Sequence, residues 1–418
     1  MLNRPKSRIR PAVLAAAALA AGAVALTPSP ASAHRAPPFG GAYAHTPGSY
    51  LELPYTIATA SAPAEYRQAI EDGMKAWFRT PTLVWPYASS FASSRVDFYV
   101  LDAQDDYFGI AHNKPCAGAG CTFTFTNVEL NQPVLDQQNA FLRQKVVVHE
   151  VGHAMGLSHV LPEEDVASVM RQGILAFNIP QNHDVNDVNA IYTGLAEPSP
   201  QPSPGGTTTT TGAARYPIYR NVRALTARSH VVVRARIDRR LGTERVVPDD
   251  VSDRLPARKR GALGHLRTDF AVTVSAVLKG PALAAGDRLT VSQIGGQRAR
   301  TRTVIEGEPI ARVGDDYILF LRRRSDGSYI VTGGNQGRMV IRQGRLRPVS
   351  AEAAGMPVPR RLRGLSASAF VASFAAISAE RRFAPLPRGR QVPLAAVPSG
   401  ADQKPAAGRG PIPRPPGR

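Results

Sequence analysis

The chain has 418 residues, 43% hydrophobic and 20% charged, with a formal net charge of +19. That length allows two or three domains, each burying its own core, and the composition excludes a wholly disordered protein. The charge is uneven: residues 34–198 hold 9 basic and 17 acidic residues, about −8, and the chain beyond them carries about +23. Such a field attracts anionic surfaces or the acidic half of the same chain. The basic residues are scattered rather than interleaved with aromatics, which argues against nucleic acid as a partner.

Arg4, Lys6, Arg8 and Arg10 precede an alanine-rich apolar stretch from Pro11 to Leu26, and Ala31-Ser32-Ala33 supplies small residues for cleavage. Residues 1–33 therefore read as an export signal, with the mature chain starting near His34 in an oxidising environment. An uncleaved anchor is the weaker reading, because the stretch is short and weakly apolar, and no later segment could span a bilayer. After a short segment to residue 44, Tyr50 to Ile57 reads as a strand, and Pro54 predicts an edge position or a strand start. Tyr66, Ile70, Met74, Trp77 and Phe78 recur at helical spacing and read as core. Arg95 to Val100 and Thr122 to Phe125 alternate as strands do. Cys116 and Cys121 enclose Ala-Gly-Ala-Gly and are expected to form a local disulfide; as zinc ligands they lack a partner pair.

A helix is predicted from an N-cap at Asp136 through Phe141, Leu142, Val147 and Val148 into HEVGHAMGLSH at residues 149–159. His149 and His153, four apart on a helix, share a face and can hold one metal ion. Gly156 lets the chain leave the helix, and the turn brings His159 round as a third ligand. Three imidazoles leave a coordination position open, as a catalytic zinc ion requires. Glu150, beside the first ligand, is placed to take a proton from a water acidified by the metal. The expected cofactor is one Zn2+, and the expected substrate is a protein or peptide.

Val185 to Tyr192 reads as a closing helix, and residues 196–214, rich in proline, serine, glycine and threonine, as a linker. Beyond it, Val231–Ile237, Phe270–Leu278, Leu289–Ile294, Tyr317–Leu321, Tyr329–Thr332 and Met339–Arg342 read as short strands with glycine turns, which predicts a small sandwich or barrel over 215–384. One helix follows, with Phe370, Phe374 and Ile377 on a common face, and 385–418 is a basic proline- and arginine-rich tail of disordered composition. His230 and His265 are isolated and receive no role.

HEVGHAMGLSH resembles the extended zinc motif of the metzincins, and Ser168-Val169-Met170 resembles their Met-turn. The resemblance makes Met170 a hydrophobic floor beneath the metal. Within that group the likeness is to matrixins, over about Ala44 to Leu195: Leu53 to Ile57 resembles their first strand, Ala69 to Trp77 their first helix, Gly109-Ile110-Ala111-His112 their edge strand and Asp187 to Gly194 their closing helix. It implies that Gly109, Ile110 and Ala111 pair with an extended substrate as an added strand. It also puts His112 at the place of a structural-zinc ligand whose companions do not assemble from the sequence, so a satisfied histidine is the expectation. No cysteine precedes Cys116, so the latency these enzymes draw from a propeptide cysteine is not expected. His183 reads as an ordinary loop histidine. Asp105 and Asp106 read as a solvated acidic turn, with a calcium site as the alternative.

The expectation is thus an α+β chain: a metzincin-like catalytic domain of twisted sheet and helices over 45–195, then a small mainly-β domain. The expected function is secreted zinc-dependent peptide hydrolysis. One alternative is a non-catalytic binding protein with structural zinc, which needs a fourth protein ligand. Another is a hydrolase for a specialised peptide or a peptidoglycan cross-link. The basic half is expected to bind substrate, an anionic surface or the catalytic half itself, where it would act as an autoinhibitory clasp.

Overall fold

The computed structural model describes residues 42–43, 51–80, 82, 84–116, 122–161, 164, 166–173, 177–193, 208–247, 259, 264–280 and 283–379, with backbone alone at 115, 116, 193, 208 and 379. The expected signal over residues 1–33, the segment before residue 42 and the tail lie outside them. The first half comprises β1 (Ala42–Tyr43), β2 (Leu51–Ile57), α1 (Ala64–Phe78), β3 (Val84–Ala88), β4 (Val96–Leu101), β5 (Gly109–Cys116), β6 (Thr122–Phe123), β7 (Phe125–Asn131), the single turn α2 (Gln132–Leu135), α3 (Ala140–Ala154) and α4 (Asn182–Thr193). The second comprises β8 (Thr208–Arg215), α5 (Val222–Arg228), β9 (Val231–Val246), β10 (His265–Lys279), β11 (Arg288–Ile294), β12 (Gly296–Arg298), β13 (Thr301–Ile305), β14 (Asp316–Arg323), β15 (Tyr329–Val331), β16 (Arg338–Arg342), β17 (Arg345–Pro348), α6 (Ala351–Gly355), α7 (Pro357–Leu362) and α8 (Ala367–Ala379). Among the described residues no helix is long and apolar enough to cross a membrane.

The stripe on α1 buries Tyr66, Ile70, Met74 and Trp77, and Trp77 Nε1 donates to the Val148 carbonyl on α3 at 3.0 Å. The helices meet where Gly73 faces Val147; a Cβ at Gly73 would lie 2.5 Å from Val147 Cγ1. Behind them runs an eight-stranded sheet in the order β3-β2-β4-β7-β5-β8-β13-β12. β2, β3, β4 and β7 are mutually parallel, and β5 is antiparallel to β7. A parallel sheet needs both faces covered, and the helices provide one cover.

Three features differ from expectation. Pro54 lies in an interior strand rather than at an edge: β4 pairs with Tyr55 to Ile57, so Pro54 meets only β3 and withholds no donor from β4. Asp136 closes α2 rather than opening α3, whose N-cap is Asn139, its side chain accepting from the Leu142 amide at 2.9 Å. Residues 208–214 are not linker but strand. Their threonines suit extended backbone, and the free edge of β5 offers them a ladder of partners.

In the second half β9, β10, β11, β15 and β14 pair in a closed ring, with β16 and β17 appended beyond β14. Closure removes strand edges, and Val233, Ala235, Phe270, Val272, Val291, Leu319 and Leu321 pack inside. The outward Val232, Ile318, Phe320 and Met339 are covered by α5, α7 and α8, where Phe370 and Phe374 occupy the predicted helix face. The barrel does not stand apart: β12 and β13, from its chain, extend the first sheet through β8.

Gly73→Ala is expected to lower stability by about 1–2 kcal/mol, because overpacking against a stiff valine outweighs the gain in helix propensity. Thermal melting of Gly73→Ala, Val147→Ala and the double variant tests this. The double variant should melt higher than additivity gives, and strict additivity would refute the close contact.

Candidate active site

His149, Glu150 and His153 lie in the last two turns of α3, where the helix runs wholly through the core. The helix ends at Met155, and Gly156 takes φ 95°, a left-handed turn that a β-carbon disfavours. Its amide donates to the His153 carbonyl at 2.9 Å and the Leu157 amide to the Gly152 carbonyl at 3.0 Å. The chain so reversed delivers His159 back to the helix.

The three Nε2 atoms converge, with separations of 3.0 Å (His149–His153), 3.2 Å (His149–His159) and 3.1 Å (His153–His159). Each Nδ1 faces an acceptor: the Val169 carbonyl at 2.8 Å for His149, the Leu157 carbonyl at 2.8 Å for His153, and Glu352 Oε1 at 3.2 Å for His159. These acceptors assign the ring proton to Nδ1 and leave each Nε2 lone pair pointing inward. Three converging lone pairs at such spacing fit a tetrahedral zinc ion, whose ligands at about 2.0–2.1 Å stand about 3.3 Å apart. Among the described residues no fourth histidine, cysteine or carboxylate joins the three, so the set leaves a position open.

Burial holds His149 and His153 well below the ordinary imidazole range, in the neutral form a ligand needs. Burial pulls His159 down too, but the Glu306 and Glu352 carboxylates outweigh it and lift the ring to about 9, so its Nε2 offers a lone pair only once a bound metal ion has displaced the second proton. Glu150 is buried, which pushes its carboxyl up, while the Arg215 guanidinium and His159 pull it back. β5 runs directly against it: a Cβ at Gly109 would lie 3.0 Å from Glu150 Oε1.

Met170 is buried against the ligand helix, where a Cβ at Gly152 would run into its Sδ. Asp184 of α4 pins this turn, accepting from Ser168 Oγ and from the Val169 amide at 2.9 Å. Sequence reasoning did not reach Asp184, nor Arg215, Glu306 and Glu352, which lie outside any motif. Gln172 brings its Nε2 within 2.9 Å of both His159 Nε2 and the Ala214 carbonyl.

Gly109, Ile110 and Ala111 do line the site, but they are already paired, antiparallel, with Arg215, Ala214 and Ala213 of β8. Asp105 and Asp106 are no solvated turn: both are buried, Asp106 Oδ1 3.1 Å from Arg322 Nη1 and Asp105 Oδ2 3.8 Å from Arg324 Nη1. Asp106 Oδ2 also accepts from Tyr219 Oη at 3.1 Å and the Gly333 amide at 2.8 Å, so its oxygens serve the barrel rather than calcium. His183 lies in α4, 3.4 Å from Asp187, and His230 accepts from the Arg323 amide at 2.9 Å. The disulfide expected between Cys116 and Cys121 lies outside the described residues.

The matrixin peptidase family matches residues 52–193. Residues 52–193 are a matrixin catalytic domain. The protein is therefore a zinc metalloendopeptidase, and the matrixin segment holds all of α3 and the Met-turn. High choriolytic enzyme 1, a hatching enzyme zinc-protease from Oryzias latipes (medaka fish), is similar at 14% identity over 36% of this chain and 94% of that chain, with a TM-score of 0.24. No curated protein matches.

Because Met170 Sδ sits where a Cβ on Gly152 would go, Gly152→Ala must displace the floor of the matrixin site. The expected result is zinc affinity lowered about 10–100-fold, the usual effect of disturbing groups that support ligands, with the protein still folded. Zinc competition with a chromophoric chelator, alongside far-UV circular dichroism, measures it; unchanged affinity would remove Met170 from that role.

Proposed function

We propose that this chain is an exported matrixin endopeptidase folded in a latent form, with Glu150 as the general base. The observation that carries the catalytic reading is the convergence of His149, His153 and His159 at 3.0–3.2 Å beside a buried Glu150. Zinc, when bound, supplies Lewis acidity toward a water and a peptide carbonyl. Glu150 takes the proton from that water and returns it to the leaving amide nitrogen. Its raised pKa favours the return of the proton, while Arg215 and His159 favour the charged form that accepts it. Export rests on the basic, apolar and small-residue segments of residues 1–33.

Latency is supported by what occupies the cleft. A substrate adds as a strand to an exposed sheet edge, and β8 fills that place from Gly109–Arg215 to Cys116–Thr209. Arg215 is fully buried and its Nη2 donates to the Gly173 carbonyl, beyond the Met-turn, so a side chain of the chain's own sits beside the base. The Gln172 amide then donates to the Ala214 carbonyl of β8 at 2.9 Å, fastening the strand from the loop beyond Met170. His149, Glu150, His153, His159, Met170 and Arg215 are each at most 4% exposed, so among the described residues the cluster is closed to a polypeptide.

Glu150→Ala should keep zinc and lose hydrolysis of casein or a quenched peptide by at least about a thousandfold; zinc content and rate are measured on the same samples. Full zinc with undiminished cleavage would assign the base elsewhere. Ala213→Pro removes a donor from β8 and should raise peptide hydrolysis about tenfold, equivalent to about 1.4 kcal/mol of strand docking. An unchanged rate in a folded Ala213→Pro chain with full zinc would sink the latent form while leaving the endopeptidase standing.

A further inference from the structure

A second cluster of ligating side chains lies outside the site just described. His112 of β5, Glu129 of β7 and His265, the first residue of β10, bring one donor atom each within 4.8 Å of one another, all three buried. His112 Nε2 stands 3.8 Å from Glu129 Oε1, and His265 Nδ1 stands 3.4 Å from Glu129 Oε2. The two imidazoles stack with centroids 5.2 Å apart and planes 19° apart. Among the described residues none of the four ring nitrogens finds a hydrogen-bond partner. His112 is thus not the satisfied histidine its sequence context suggested, and His265 is not isolated.

Two buried imidazoles facing one carboxylate without hydrogen bonds are costly unless something accepts their lone pairs. Tyr107 Oη donates to Glu129 Oε2 at 3.0 Å and orients it, as groups behind a metal ligand do. Register puts Asn127 of β7 directly opposite His112 of β5, and among the described residues both polar atoms of its buried amide also lack a partner. Gly212 of β8 keeps the approach open, since a Cβ there would lie 2.8 Å from His112 Nδ1.

We infer that His112, Glu129 and His265 bind a second zinc ion that ties the matrixin half of the chain to the C-terminal barrel. Two imidazoles and a carboxylate are a donor set suited to Zn2+. His265 lies outside residues 52–193, so a matrixin domain alone cannot build this site. Because His112 pairs with Gly212 in the β5–β8 ladder, the ion sits behind the strand that fills the cleft and fastens it from the barrel side. The inference does not depend on the protease reading, since it concerns ligands that take no part in hydrolysis.

The test uses the full-length chain, dialysed with limiting zinc, and counts zinc per chain by mass spectrometry of the metal. The wild type should hold two ions. His149→Gln/His153→Gln, which removes the catalytic ligands, should hold one, and adding His265→Gln should remove that one. A folded His149→Gln/His153→Gln chain without zinc overturns the proposal, and so does a zinc count that His265→Gln leaves unchanged. If His265→Gln does not fold, cobalt(II) titration of the apo wild-type chain decides instead. Two spectral steps, the second absent in Glu129→Gln, support the site; a single step in the wild type overturns it.

Discussion

The free edge of a sheet carries unpaired N–H and C=O groups, and an edge beside a buried metal cluster cannot leave them to water without opening the cluster as well. β5 meets this demand with β7 on one side and β8 on the other. Much of the rest follows from that second ladder. It turns Thr208–Arg215 from a tether into a joint, and passes the sheet on to β13 and β12. The Glu306 amide, just beyond β13, donates to the Gly212 carbonyl of β8 at 2.7 Å, and its Oε1 accepts from the His159 amide at 3.0 Å. The strand that covers the cleft is thereby the strand that brings the barrel's carboxylates to the third ligand.

Around this joint the two halves meet through charge. Residues 34–198 are about −8 and the chain beyond them about +23, and the surplus is spent locally. Lys259 pairs with Asp97 at 2.7 Å, both buried, and also takes the Ser94 carbonyl at 3.1 Å. Arg322 and Arg324 answer Asp106 and Asp105, and Lys114 donates to the Gly264 carbonyl at 2.5 Å. Buried pairs of this kind add little net stability, because desolvation offsets the attraction, yet removing one partner strands the other. They specify one docking geometry among the many that a basic barrel and an acidic domain could adopt.

What was legible in the sequence was local. HEVGHAMGLSH carries its ligands within eleven residues on one helix and one turn, so spacing alone predicts the cluster that the Nε2 separations describe. The stripe on α1 and the short strands of the barrel follow the periods of 3.6 and 2 that burial imposes. What was not legible depends on partners far away. The threonine run at 208–211 has the composition of a linker, and only the waiting edge of β5 makes it a strand. Asp105 and Asp106 look solvated until Arg322 and Arg324, over 200 positions on, are placed beside them. His265 likewise acquires neighbours only when β10 is laid against β5 and β7.

The ligands of the catalytic cluster are supported unequally, and this sets how the two halves depend on each other. His149 and His153 rest on backbone carbonyls of the matrixin domain itself, at Val169 and Leu157. His159 rests on Glu352 and Glu306, both from beyond residue 193. A carboxylate behind an imidazole raises its basicity and its hold on a metal, typically by 10–100-fold in affinity. The closed form therefore binds zinc more tightly than a form in which the barrel has left and water stands at His159 Nδ1. By linkage, zinc in the cluster favours the closed form by the same factor. In the latent form proposed above, opening the cleft to substrate and loosening the third ligand would be one event, so the metal that equips the site for hydrolysis would also help to hold it shut.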